Sequence, residues 1–319
     1  ALCDLPNVVQ LNLNGNKGLG GSAASWVRHF KKMMNLQKLH LGYCSLTGKD
    51  MTHIAPALCD LPNLVQLNLN GNKGLGGSAA SWVRHFKKMM NLQKLNLGYC
   101  SLTGKDMTHI APALCDLPNL VQLNLNGNKG LGGSAASWVR HFKKMMNLQK
   151  LYLGYCSLIG EDMTHIAPAL CDLPNLVQLN LNGNKGLGGS AASWVRHFKK
   201  MMNLQKLHLG YCSLTGKDMT HIAPALCDLP NLVQLNLNGN KGLGGSAASW
   251  VRHFKKMMNL QKLYLGYCSL IGEDMTHIAP ALCDLPNLVQ LNLNGNKGLG
   301  GSAASWVRHF KKMMNLQKL

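Results

Sequence analysis

The heptapeptide ALCDLPN begins at residues 1, 57, 113, 169, 225 and 281, a period of 56 that never slips. Self-similarity at this scale restricts the chain to stacked architectures, in which each copy buries its apolar face only against its neighbours. The block divides again: Leu64, Leu67 and Leu69 are echoed 28 residues later by Leu92, Leu95 and Leu97. Two repeats of 28 therefore alternate. The tryptophan repeat is LVQLNLNGNKGLGGSAASWVRHFKKMMN (64–91), and the cysteine repeat is LQKLHLGYCSLTGKDMTHIAPALCDLPN (36–63). Eleven such repeats and a stub, 316–319, account for nearly the whole chain. Residues 1–319 read as one domain of five 56-residue double repeats plus a partial sixth, with no obvious caps.

Each repeat reads as strand, turn and helix. In VQLNLN, Leu67 and Leu69 face one side and Gln66, Asn68 and Asn70 the other, the alternation of a half-buried strand. GNKGLGG is turn chemistry. Ser78 is the expected N-cap of the segment after it. At 100° per residue, Ala79, Trp82, Val83, Phe86, Met89 and Met90 share one face, with Arg84, Lys87 and Lys88 opposite, which predicts an amphipathic helix. In the cysteine repeat, Met51, Ile54, Ala55 and Leu58 carry helical spacing, and Thr47 with Asp50 forms a capping-box pattern. Pro56 lies inside that helix on its outward side and predicts a kink or a patch of 3₁₀ geometry.

The pattern L-x-x-L-x-L-x-x-N/C-x-L resembles the leucine-rich repeat, and it covers essentially the whole chain. Two alternating long repeats with helices resemble the ribonuclease-inhibitor-like subclass, also found in intracellular nucleotide-binding receptors of innate immunity. The resemblance implies an α/β fold: a curved leucine-rich-repeat solenoid, or horseshoe, with a parallel sheet on the concave face and helices on the convex face. It also implies that partners are gripped on the concave face. One departure is Asn72-Lys73-Gly74-Leu75, a residue longer than the family's N-x-L. Packing supports the curvature independently. Strands stack about 4.8 Å apart and helices need about 8–10 Å, so the stack bends on the order of 20–30° per repeat. Asn72 and Cys44, at the family's inward position, are expected to satisfy buried backbone groups where the chain leaves the strand.

Composition narrows the function. No run of 18 apolar residues exists, so a transmembrane helix is not expected. Eleven cysteines cannot complete a disulfide framework, and no glycosylation sequon occurs; repeat-locked thiols in a large core point to the cytoplasm. His85 and His53 recur without a carboxylate or thiol partner, no metal-ligand spacing joins Cys44 to Cys59, and acids are too sparse for paired-carboxylate catalysis. Gly-Leu-Gly-Gly (74–77) lacks the Lys-Ser/Thr of a phosphate loop. The chain thus reads as a non-enzyme needing no cofactor and no metal. Its net charge of +20 attracts polyanions without specifying a fold.

Against this copied background one triplet varies: His40, Thr47 and Lys49 become Asn96-Thr103-Lys105, Tyr152-Ile159-Glu161, His208-Thr215-Lys217 and Tyr264-Ile271-Glu273. The first member lies between inward leucines and so points out of the sheet. The candidate partner-binding surface is therefore Lys38, His40, Tyr43, Gln66, Asn68, Asn70, Lys94, Asn96, Tyr99, Lys150, Tyr152, Tyr155, His208, Tyr211, Tyr264 and Tyr267. Drift at exposed positions, or copying of whole blocks, explains the same variation without a ligand. Two rival functions stay open. One is a structural or designed array that self-associates end to end, since the chain starts in ALCDLPN and stops inside a strand. The other is polyanion or nucleic-acid binding by Arg84, Lys87, Lys88, Arg140, Lys143 and Lys144 on the outer helices, through phosphate contacts alone.

Overall fold

The computed structural model describes residues 7–301 and 303–319. The first heptapeptide, one end of the expected end-to-end association, lies almost wholly outside the described residues. The chain forms two compact halves, divided after Ser157. In the first, strands β1 (Gln10–Asn12), β2 (Lys38–His40), β3 (Gln66–Asn68), β4 (Lys94–Asn96), β5 (Gln122–Asn124) and β6 (Lys150–Tyr152) pair in parallel, in chain order. In the second, β7 (Gln178–Asn180), β8 (Lys206–His208), β9 (Gln234–Asn236), β10 (Lys262–Tyr264) and β11 (Gln290–Asn292) do the same. Every pairing puts leucine beside leucine, as Leu39 beside Leu67. A slip of one residue would turn those leucines to solvent, so the alternation itself fixes register. This is the α/β leucine-rich-repeat solenoid the sequence implies.

The cysteine repeats make true α-helices, Gly48–Cys59 and Gly104–Leu114 in the first half, then Gly160–Cys171, Gly216–Cys227 and Gly272–Cys283. Pro56 sits within the first of these and offers no N–H to the carbonyl of exposed Thr52. The capping box is present: the Asp50 amide donates to Thr47 Oγ1 at 3.3 Å, and the Thr47 amide donates to Asp50 Oδ2 at 2.9 Å.

The tryptophan repeats depart from expectation. Ala79–Ser81 and Val83–Lys88 are 3₁₀ turns rather than one α-helix. The reason is visible in the buried residues: Val83, Phe86 and Met89 recur every third position, the period of a 3₁₀ helix. Met90, which an α-helical face would bury, is 50% exposed. The same residues are α-helical at Ala303–Phe310, and the first four of them also at Ala23–Trp26 and Ala191–Trp194. Trp82 is fully buried and lies tilted on Phe86, ring centres 5.3 Å apart, so this column is core.

Ser78 takes the N-cap position of this segment, but its side chain makes no capping hydrogen bond. Its hydroxyl donates to the Leu75 carbonyl at 2.6 Å and accepts the Trp82 indole N–H at 3.2 Å. The amides of Gly77 and Ala79 go instead to Asp106 of the next repeat, at 2.8 and 3.1 Å. One carboxylate thus caps its own helix through Thr103 and the helical turn of the preceding repeat.

Candidate functional site

The site is built on what the strands leave pointing outward. Leu39 and Leu41 are fully buried, so Lys38 and His40 stand on the opposite face of β2. Parallel register aligns these positions into two rows across the first half. One alternates lysine and glutamine, from Lys38 through Gln66, Lys94 and Gln122 to Lys150. The other runs His40, Asn68, Asn96, Asn124, Tyr152. The second half carries the matching rows, with His208 and Tyr264 set between asparagines. All sixteen candidate residues are exposed or half-buried and lie on this face or in the loops leaving it.

Not every member is free to meet a partner. Asn68 Oδ1 accepts the Asn70 amide at 2.9 Å, and Asn96 Oδ1 accepts the Gly98 amide at 3.0 Å. These side chains serve their own backbone first. The same bonds explain why position 40 varies. Where Asn96 is replaced by His40, the Gly42 amide is taken by Asn14 of the preceding repeat at 2.6 Å. Asn126 does this for Gly154 beside Tyr152, and Asn182 and Asn238 do it beside His208 and Tyr264, each at 2.7 Å. A neighbouring acceptor covers the backbone, so the strand position can change identity without orphaning an amide. In the His208 repeat, Nε2 is buried without a hydrogen-bond partner. Burial, with Lys206 alongside, holds that imidazole below its ordinary pKa.

The inward Asn/Cys position fulfils its expected role. Asn72 is fully buried and donates to the carbonyls of Leu41 and Leu69 at 2.8 and 2.7 Å. Its Oδ1 accepts the amides of Cys44 and Leu46, both at 3.0 Å. The extra residue of Asn72-Lys73-Gly74-Leu75 is absorbed as a parallel bridge between Gly74 and Thr47, with Leu75 fully buried. Burial pushes the Cys100 thiol up to about 12, so it is an inert packing group. Among the described residues no cluster of His, Cys, Asp and Glu could hold a metal ion, and no helix is long and apolar enough to cross a membrane.

The linked change of Thr and Lys to Ile and Glu has a physical account. Ile159 has no acceptor, so only half of the box survives: its amide donates to Asp162 at 3.0 Å. Glu161 replaces a lysine in the first helical turn, where the helix dipole favours an anion. Thr103→Ile alone is expected to cost about 1 kcal/mol, and adding Lys105→Glu to recover about 0.5 kcal/mol. Urea unfolding of the single and double variants checks this; a destabilising Lys105→Glu would contradict it. Nothing in the structure explains why the strand position changes with this pair.

Arg84, Lys87, Lys88, Arg140, Lys143 and Lys144 are exposed, on 3₁₀ turns rather than the expected α-helices. Arg84 Nε lies 3.3 Å from His85 Nε2. Burial first, then Arg84 and Lys88, lowers the pKa of His85, which is half-buried rather than a free surface imidazole. Sequence reasoning missed Lys73, Lys129, Ser101 and Gly127, which enclose a cleft with Tyr99 and Tyr155. The available signal was that Tyr99 and Gly127 occupy the same place in successive repeats.

Residues 91–115 match the family model for the leucine-rich repeat. The chain is 28% identical over 273 residues to the ribonuclease inhibitor of Sus scrofa, covering 84% of this chain and 59% of the relative. It is likewise 28% identical to NACHT, LRR and PYD domains-containing protein 12 of Homo sapiens, over 93% of this chain and 28% of that protein. The chain therefore spans only part of these relatives. Among solved structures, the leucine-rich repeat-containing protein LegL7 from Legionella pneumophila aligns over 97% of both chains, with a TM-score of 0.57 and 19% identity. The yeast Rad7 and Elc1 complex aligns over 91% of this chain and 71% of that one, with a TM-score of 0.56 and 18% identity; both likenesses speak to fold alone. Alternating Leu-x-Leu strands, the buried Asn/Cys ladder and these relatives make the chain similar to the ribonuclease-inhibitor-like leucine-rich-repeat proteins.

Proposed function

We propose that the chain is a non-enzymatic protein-binding module that engages its partner through the exposed sheet face, concave in the solenoid the repeats imply. The observation that carries this reading is the row of outward side chains at strand position 40. It is the one strand position that changes identity while its backbone bonds are kept by neighbours. Rigid strands hold that row, and tyrosine supplies contact area at low entropic cost. The inert buried thiols suit a reducing compartment, which supports a cytoplasmic location.

The test is capture of a partner from lysate by the intact chain and by Tyr152→Ala with Tyr264→Ala. Binding by the doubly substituted chain is expected to fall at least tenfold with an unchanged circular dichroism spectrum. Undiminished capture would overturn the reading. The exposed basic cluster supports a second reading, polyanion binding. It requires that charge reversal at Arg84, Lys87 and Lys88 abolish binding and that affinity fall steeply with salt.

A further inference from the structure

Where the chain leaves the strands, successive cysteine repeats flank a cleft that neither the strand row nor the capping network uses. In the first half its walls are Tyr99 and Tyr155, Lys73 and Lys129 stand at its rim, and Ser101 lies within it. The cleft encloses about 590 Å³. The second half repeats it with Tyr211, Tyr267, Lys185 and Lys241, at about 580 Å³.

The tyrosines are held there at a cost. Tyr99 has φ of 53°, a left-handed conformation that the alternating repeat reaches with glycine, as at Gly127 with φ of 75°. A bulky residue in that region is strained. The ring is not rewarded with deep burial: Tyr99 remains 46% exposed. It is laid over the Gly127 backbone, where a Cβ would collide with its Cδ1. Strain repeated at Tyr43, Tyr99, Tyr155, Tyr211 and Tyr267, without core packing in return, points to a contact outside the chain.

Spacing identifies the form of that contact. Tyr99 and Tyr155 follow β4 and β6, two strands apart in register. At about 4.8 Å per strand they repeat every ~9.6 Å. A polyproline II helix rises about 3.1 Å per residue with three residues per turn, so one face recurs every ~9.3 Å. A β-strand presents one face every ~6.6 Å and falls out of step. Proline rings dock in aromatic-lined grooves, and paired lysines at each rim favour an acidic side chain. We propose that the tyrosine clefts dock a left-handed polyproline-type segment of a partner protein that carries an acidic residue at every third position and runs across the strands. This rests on the sheet-face reading above and names the form of the partner.

The probe is a peptide of four Pro-Pro-Glu triplets, titrated by fluorescence anisotropy against the whole chain. The variant carries Tyr99→Gly, Tyr155→Gly, Tyr211→Gly and Tyr267→Gly. Glycine already occupies this position in the tryptophan repeats, so the fold is kept, and circular dichroism verifies it. The peptide is expected to bind, at least tenfold more weakly to the variant and more weakly as salt rises. A Pro-Glu alternating peptide and a flexible Gly-Gly-Glu peptide are each expected to bind at least tenfold more weakly than the triplet peptide. Equal binding of either control, or no binding of the triplet peptide, overturns the docking mode. Should no peptide bind while Tyr152→Ala with Tyr264→Ala still loses its protein partner, the docking mode falls and the sheet-face reading stands.

Discussion

Asn128→Ala is expected to remove about 4 kcal/mol of stability, seen as a large drop in the urea midpoint of the first half. Asn128 is fully buried and uses all of its hydrogen-bonding capacity. It donates to the carbonyls of Leu97 and Leu125 at 2.9 and 2.7 Å. It accepts the amides of Cys100 and Leu102 at 3.1 and 2.9 Å. Alanine orphans the Leu97 carbonyl and the amides of Cys100 and Leu102 and leaves the Leu125 carbonyl only the Cys156 thiol at 3.2 Å; each buried unpaired group costs about 1–3 kcal/mol, with partial relaxation offsetting some of the loss. These groups belong to two successive repeats, so the damage falls on the stacking that makes the fold. A loss below about 1 kcal/mol would mean that water replaces the amide and that the ladder is not what joins the repeats.

Asp106→Ala is expected to cost about 3 kcal/mol, because the amides of Gly77, Ala79 and Thr103 lose a charged acceptor together. The same carboxylate gives the protein an acid limit. Burial alone would raise its pKa. The amides of Gly77, Thr103 and Ala79 and the Thr103 hydroxyl outweigh that and hold it below its ordinary value. Asp50 and Asp218 shift in the same direction for the same reason. A folded pKa below the unfolded value of about 3.9 stabilises the protein at every pH above that value. The contribution is lost as pH falls through the lowered folded value. Stability is therefore expected to change little between about pH 7 and 5 on account of these groups and to fall below about pH 4. Chemical denaturation across that range checks it; Asp106→Asn should shallow the acid slope, and an unchanged slope would show that the group is not linked.

What the sequence made legible was whatever repeats or acts locally. The Leu67–Leu69 alternation fixed the strand faces, Thr47 with Asp50 marked a helix start, and Asn72 announced a buried amide that serves the backbone. Interactions formed only by stacking were hidden. Asp106 capping Gly77 and Ala79 joins residues 29 and 27 apart, and no local pattern marks it. Ser78 carried the local signature of a cap, but its hydroxyl was claimed by Leu75 and Trp82. The 3₁₀ turns were half legible: Val83, Phe86 and Met89 recur every third residue, yet Trp82 and Met90 also complete a 100° face. At the candidate site, outward placement of His40 and Tyr152 follows from alternation. The reason that position tolerates change, a spare acceptor just past the preceding strand at Asn14 or Asn126, needed the register.

The most direct measurement of the central claim is hydroxyl-radical footprinting of the chain with and without its captured partner. The reading expects protection of Tyr152 and Tyr264, with Lys150 on the same face, while Arg84, Lys87 and Lys88 stay as reactive as in the free chain. Protection of the basic outer residues with Tyr152 and Tyr264 left reactive would contradict it.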